Sequence, residues 1–279
     1  MDPTQHMDYL VIGHICLDVT AEGLQVGGTA AYSAATATTL GCRTAVVTSA
    51  DRAWTDVLPE AAIEVVPAAQ TTTFENTYTA AGRSQKLHAV AEKLLPDHVP
   101  AAWRRSRIVH VAPVADEVDP AVMTLFPNSL LGLTPQGWLR TWDKEGHVRA
   151  RLWAAAAEYL PLATAVFISD EDLPEPQLLA AYRRHSNVLV MTQGAAGSIV
   201  YLGDESRSVP APRVRAVDTT GAGDIYATAF LVRLEQTAGN AWEAARFANE
   251  LAAQSVTVAG LPQKMAILSR YLADMAPGA

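Results

Sequence analysis

The sequence predicts an α/β domain built around a mainly parallel sheet, and three observations carry that prediction. An almost unbroken apolar run at residues 8–15 (DYLVIGHI) has the pattern of a strand covered on both faces. A small-residue stretch opened by Gly27 and Gly28, then a second apolar run at 44–49 (TAVVTS), complete a βαβ succession. Further strand-like runs at 107–111, 165–169 and 188–192, separated by helical or mixed stretches, repeat the alternation.

Each element has a local reason. The stretch TAAYSAATATTLG packs closely because its side chains are small, and Gly41 reads as its C-cap. Residues 72–79 and 85–90 flank the turn-prone AAGRS and alternate as an antiparallel hairpin with one exposed face, a flap beside the main sheet. A second hairpin is expected around Gly203, between strands at 198–202 and 207–209. Helices at 222–234, 241–258 and 262–273 close the domain. No repeat, low-complexity tract or Pro/Ser-rich linker divides the chain, so residues 1–279 are expected to form one domain. The basic run AAWRRSR at 101–107 reads as a solvated helix end before a strand.

Composition narrows the function classes. Of the residues, 49% are apolar and 18% charged, which fits a globular chain with a sizeable core. Lys and Arg number 21 against 29 Asp and Glu, a net charge of −8 and the wrong sign for a nucleic-acid partner. Cys16 and Cys42 stand alone, without the spacing of a disulfide framework or a cysteine-ligated zinc site. Residues 1–9 carry no basic leader, and no apolar run reaches the roughly 20 residues of a membrane span. A soluble protein of a reducing cytoplasm, with neither nucleic acid nor membrane as partner, is the expectation.

The strongest chemical signal is AVDTTGAGDIYATAF at 216–230. Gly221, Ala222 and Gly223 leave the backbone bare where a helix begins, so successive N–H groups can face an anion and the helix dipole favours negative charge there. Asp224 sits in the first helical turn, where a carboxylate can cap free N–H groups or meet a substrate. No G-x-x-x-x-G-K-[ST] is present, so donor phosphates would be met by backbone amides and metal instead of a P-loop lysine.

These residues resemble the ribokinase-like, or PfkB, family of small-molecule kinases nearly end to end. The family's C-terminal signature stands as Asp218, Thr219, Thr220, Gly221, Ala222, Gly223, Asp224. Its N-terminal signature stands as Gly27 and Gly28 in VGGTAAYSAA, preceded by Asp18 in GHICLD. The resemblance implies a three-layer αβα sandwich with a mainly parallel central sheet and a small β lid. Only residues 19–26 separate Asp18 from Gly27, so the lid is expected mainly from about 70–92.

The resemblance further implies ATP and Mg²⁺ as cofactors, Asp224 as catalytic base, and Gly221, Ala222 and Gly223 as the anion hole. It assigns acceptor contacts to Asp18, Gly27 and Gly28, and nucleotide contacts to Thr192, Gly194, Gly197, Thr219 and Asn249. Asn249 reads equally as an ordinary helix-surface residue. Asp172 is the candidate organiser of Mg²⁺-bound water, and Asp218 marks the place where some members hold a monovalent cation such as K⁺. Three departures stand out: Tyr32 where the family usually has Asn, Ser-Asp-Glu-Asp at 169–172 in place of N-x-x-E, and Thr228 where a smaller residue is usual. Glu75 and Asn76 are candidates to face the acceptor, and Phe74, Tyr78 and Tyr32 to form an aromatic pocket.

The implied activity is transfer of the ATP γ-phosphate to a hydroxyl of a sugar, an inositol-like cyclitol or a related polyol. A nucleoside kinase on the same scaffold and a non-catalytic sugar or nucleotide sensor are the alternatives. A homodimer is left open.

Overall fold

The structure is a computed structural model that describes residues 6–54, 57–79, 82–173 and 176–275. Its framework is a nine-stranded sheet in the order β15-β14-β13-β12-β9-β8-β1-β4-β5. At the centre lie β1 (Tyr9–Ile12), β4 (Thr44–Ala50), β8 (Ile108–Val111), β9 (Leu130–Leu133), β12 (Ala165–Ser169) and β13 (Val188–Thr192), all paired in parallel, with β5 (Ala62–Pro67) parallel at one edge. The other edge is antiparallel, where β14 (Ser198–Leu202) and β15 (Glu205–Val209) fold back as the hairpin expected around Gly203.

Alternation along β1 explains the layering. Tyr9 and Val11 enter one apolar cluster, whereas Leu10 and Ile12 enter a second on the opposite face. Four helices cover the first cluster: α1 (Thr29–Thr39), α4 (Ala222–Gln236), α5 (Ala241–Ser255) and α6 (Leu261–Met275). The second lies under 3₁₀ turns, α2 (Ala156–Tyr159) and α3 (Pro176–His185). Helix α1 ends as its composition requires: the Gly41 N–H donates to Thr38 O at 2.9 Å and the Cys42 N–H to Ala37 O at 3.0 Å, with Gly41 left-handed at φ 83°. On β9, Gly132 lets α4 come close, because a Cβ there would collide with Leu231.

A second sheet of four strands, ordered β3-β2-β6-β7, stands beside the first. The expected flap supplies β6 (Thr73–Thr79) and β7 (Gly82–Ala89). Two shorter strands, β2 (Cys16–Thr20) and β3 (Gly23–Gly27), complete this sheet beside the longer β6–β7 pair. The apolar run at 8–15 accordingly splits: β1 stops at Ile12, and the chain crosses to the lid at Cys16. A short hairpin, β10 (Arg140–Trp142) with β11 (Val148–Ala150), braces the lid, since the Leu87 N–H donates to Gly146 O at 2.8 Å. The centre of the AAGRS turn, residues 80–81, and the side chain of Tyr78 lie outside the described residues.

The strand order reverses direction at β1: the chain runs to β4 and β5 on one side, then returns to β8, β9, β12 and β13 on the other. Ligands in open α/β sheets bind in the crevice beyond the carboxyl ends of the strands near such a switch. Cys16, Val114, Ser169 and Thr192, at or just past those ends, line a single large cavity.

Candidate active site

The cavity has a volume of about 670 Å³ and runs from the lid sheet to the start of α4. Its wall brings together Asp18, Gly28, Asp172, Thr192, Gly194, Gly197, Thr219, Gly221, Ala222, Gly223, Asp224 and Asn249, residues drawn from the whole length of the chain. Gly27 stands just outside it and Asp218 behind it.

One end of the cavity is built on the start of α4. Gly221 is the N-cap, left-handed at φ 74° and ψ 0°, and no side chain caps the helix. A side chain at Gly221 would also strike the Tyr32 ring, so this glycine serves both the turn and the packing. The helix start thus presents its amides and positive dipole end to the cavity, with Asp224 in the same first turn. Tyr32 closes this corner, and burial together with the carboxylates of Asp218, Asp224 and Asp18 pushes its phenol well above the ordinary tyrosine range. The residue that replaces the family's Asn is therefore a neutral aromatic wall among acids.

Beyond the cradle, Gly194 and Gly197 adopt φ 52° and 100° in the loop after β13, and a side chain at Gly197 would collide with Val209 O. Asn249 is 3% exposed, so the surface reading is corrected. Its Nδ2 donates to Val209 O at 2.9 Å and to Ser198 Oγ at 3.2 Å, and Ser198 Oγ is 2.8 Å from Tyr226 Oη. Asn249 thus fixes α5 to the β14–β15 hairpin as it lines the cavity. Small and aliphatic side chains of Ala252, Ala253 and Val256 continue this wall.

Another part of the cavity wall lies on the lid. Asp18 pairs in register with Phe74, so Asp18, Phe74 and Asn76 share one face and Glu75 points to the other. Asn76 Nδ2 donates to Asp18 Oδ1 at 3.2 Å, and Gln85 Nε2 to Asn76 Oδ1 at 3.0 Å. Of the two lid candidates, Asn76 reaches the cavity, whereas Glu75 pairs with His88 at 2.8 Å on the outer face. Gly28 is left-handed at φ 84°, with His14 O and the Cys16 N–H so near that a Cβ would stand 2.8 and 2.9 Å from them. A side chain at Gly27 would collide with the Asp18 carboxylate, so this glycine clears the space in which that group is oriented.

Sequence reasoning missed Arg140 and Gln136, which also line the cavity. Asp172 meets both: Oδ1 lies 3.4 Å from Gln136 Nε2 and 3.9 Å from Arg140, and Oδ2 accepts from the Ser169 N–H at 3.1 Å. With Asp170 and Glu171 also on the wall, this hard-oxygen set fits a hydrated Mg²⁺ held through its waters. Among the described residues, the three-acid-type cluster close enough for direct ligation is Asp143, Glu145 and His147, outside the cavity wall.

Asp218 is turned away from the cavity. Its Oδ1 accepts from the Thr220 N–H at 2.9 Å, and its Oδ2 accepts from the Gly260 N–H and lies beside Lys264 Nζ, each at 3.3 Å. Burial alone would raise this carboxyl, but the Thr220 bonds and the Lys264 charge hold it below the usual range. Lys264 was not singled out from the sequence; inside QKMAILS it has the look of a surface lysine.

Comparisons with known proteins agree with this geometry. Residues 143–265 match the model of the pfkB family of carbohydrate kinases. A fructokinase of Rhizobium leguminosarum bv. trifolii is 36% identical over 127 residues, 43% of this chain and 35% of that protein. A fructokinase of Klebsiella pneumoniae is 28% identical over 156 residues, 50% of this chain and 48% of that protein, so each alignment spans less than half of the relative. Among solved structures, a pyrophosphate-dependent kinase in the ribokinase family, complexed with a pyrophosphate analog and myo-inositol, superposes with a TM-score of 0.75 at 20% identity, covering 89% of this chain and 94% of that one. Adenosine kinase from Sinorhizobium meliloti gives 0.76 at 17% identity over 98% and 100% of the two chains. Residues 143–265 are thus similar to the pfkB family of carbohydrate kinases, and the chain has the ribokinase-like fold over almost its whole length.

Proposed function

We propose that the chain is a small-molecule kinase that transfers the γ-phosphate of ATP to a hydroxyl of a sugar, cyclitol or related polyol. One observation carries the reading: Asp224 and a helix start that no side chain caps share one cavity with Asp18. A hydroxyl oriented by Asp18 and the exposed backbone at Gly28 would approach the donor with Asp224 as acceptor of its proton. Of the Gly221, Ala222 and Gly223 turn, the Ala222 N–H donates to Thr219 O at 3.2 Å, and the amides at Gly221 and Gly223 would stabilise negative charge spreading over the transferring group. Arg140 adds a guanidinium to the cavity wall, suited to phosphoryl or hydroxyl oxygens. Mg²⁺, when bound, neutralises donor phosphates, and the carboxylates of 170–172 would hold its waters. Lid strands covering the acceptor exclude water that would otherwise hydrolyse the donor.

ATP is favoured as donor because the wall continues past the cradle along Gly197, Ala252, Ala253 and Val256, a smooth surface of the kind a nucleobase packs on. Pyrophosphate is the second reading, favoured by the likeness to a pyrophosphate-dependent kinase. Product formation with ATP and with pyrophosphate, measured over a panel of hexoses, inositols and nucleosides, tests both. Turnover with ATP and a polyol is the expected result. Turnover with pyrophosphate alone would overturn the donor assignment, and tight polyol binding without turnover under either donor would leave a sensor in place of an enzyme.

A further inference from the structure

Lys264 is fully buried (0% exposed), and the catalytic scheme above does not use it. It lies in the first turn of α6, where its ammonium reaches Asp218 O at 2.6 Å, Ser255 O at 3.2 Å and Asp218 Oδ2 at 3.3 Å. An ammonium has three donors and no acceptor, and here three oxygens from two chain segments converge on it. The same Asp218 is bonded by the Thr220 and Gly260 amides, and the Val217 and Asp218 N–H groups donate to Val256 O at 2.7 and 3.2 Å. Thr219 and Gly221, the next residues on, begin the anion cradle.

We propose that Lys264 is a built-in monovalent cation: its ammonium fills the oxygen site at Asp218, ties the turn at 217–220 to the end of α5 and the start of α6, and makes the cradle independent of free potassium. This rests on the kinase reading only for its effect on turnover. A free monovalent ion does not fit beside Asp218, because the lysine already occupies the space between the carboxylate and the two carbonyls. Packing alone does not account for the residue: burying an ammonium is costly, and a methionine would fill the volume without that cost. What a methionine lacks is the charge that offsets Asp218, whose carboxylate lies just behind a surface meant to receive phosphate. Lys264 is thus a positioning residue acting through the turn that it holds.

The test compares the protein in potassium and choline chloride at equal ionic strength. The wild type should show the same melting temperature and turnover in both. Lys264→Ala vacates the site while keeping its oxygens. In choline its kcat should fall about a hundredfold, as a misaimed cradle predicts, with a smaller change in acceptor KM. Potassium or ammonium chloride should then raise its melting temperature and recover much of kcat. Lys264→Met should respond to neither salt, and thallium soaked into crystals of Lys264→Ala should give anomalous density between Asp218 and Ser255. Potassium activation of the wild type, an unaltered kcat in Lys264→Ala, or a Lys264→Ala protein that stays unfolded or unresponsive in both salts would each overturn the proposal. If no donor and acceptor pair turns over at all, the kinase reading fails, while the melting and thallium arms still decide whether Lys264 stands in for a cation.

Discussion

Asp224 lines the cavity and Gly27 stands just outside it against Asp18, and in the proposed scheme substitutions at the two should separate in kinetics. Asp224→Asn keeps the shape of the first turn of α4 and removes the proton acceptor, so kcat should fall by about 10²–10⁴ while donor KM changes little. Gly27→Ala directs a methyl at the Asp18 carboxylate, which can swing aside at little cost to the fold. Losing one oriented, charge-assisted bond to the acceptor costs about 1.5–3 kcal/mol, so acceptor kcat/KM should drop by about 10–100-fold with donor KM unchanged. Steady-state kinetics with each substrate varied in turn checks both. An Asp224→Asn enzyme of normal kcat would remove the base from the scheme. At this scale the residues legible in the sequence were those whose type constrains the backbone: Gly221, Gly223 and Gly28 announce a turn before any partner is known. Lys264, Arg140 and Gln136 were illegible because a lone polar residue carries no mark of what the fold brings against it.

Among the elements, the β10–β11 hairpin has a defined task as the brace of β7. Gly146 is left-handed at φ 86° and packs on the Leu87 backbone, so Gly146→Ala should push the hairpin off the lid strand. A looser lid admits water, and the expected outcome is a several-fold rise in donor hydrolysis without acceptor, measured as phosphate release relative to acceptor phosphorylation. An unchanged ratio would show that the brace does not govern closure. The sequence revealed β1, β4, β8, β12, β13, α1 and the C-terminal helices by buried faces or a clear cap, and the β6–β7 and β14–β15 hairpins by their turn residues. The β2–β3 pair escaped notice because its outer residues, Thr20, Gly23, Leu24 and Gln25, are partly or fully exposed and break the apolar run that marks a core strand. Gly132 hid β9 in the same way, its missing side chain reflecting the approach of α4 instead of a turn.

For the whole molecule, acid should weaken the fold before it reaches any carboxylate. Burial pushes His110 down to about 3 from its ordinary 6.5, and burial also lowers His14, with Glu117 opposing. Both rings are neutral in the fold, where His110 holds Tyr9 Oη at 2.9 Å and Thr134 Oγ1 at 2.8 Å. The unfolded chain takes up their protons near pH 6.5, so this stability is complete above that value and drains away as pH falls. His110 contributes a slope approaching about 1.4 kcal/mol per pH unit, and His14 acts in the same direction. Urea denaturation from about pH 7.5 to about pH 5.5 should show the decline, and a flat profile would refute it. In the larger core, Phe230 is fully buried against Phe167 and Tyr226, and Phe230→Ala should cost about 3–5 kcal/mol by the same measurement.

The clasp between Gly132 and Leu231 has a mechanical consequence. It nests the helix that carries Asp224 against a strand at the middle of the framework. In the proposed kinase scheme, closure would then be one-sided, with the four-stranded sheet carrying the acceptor toward a helix start that stays where the central sheet holds it.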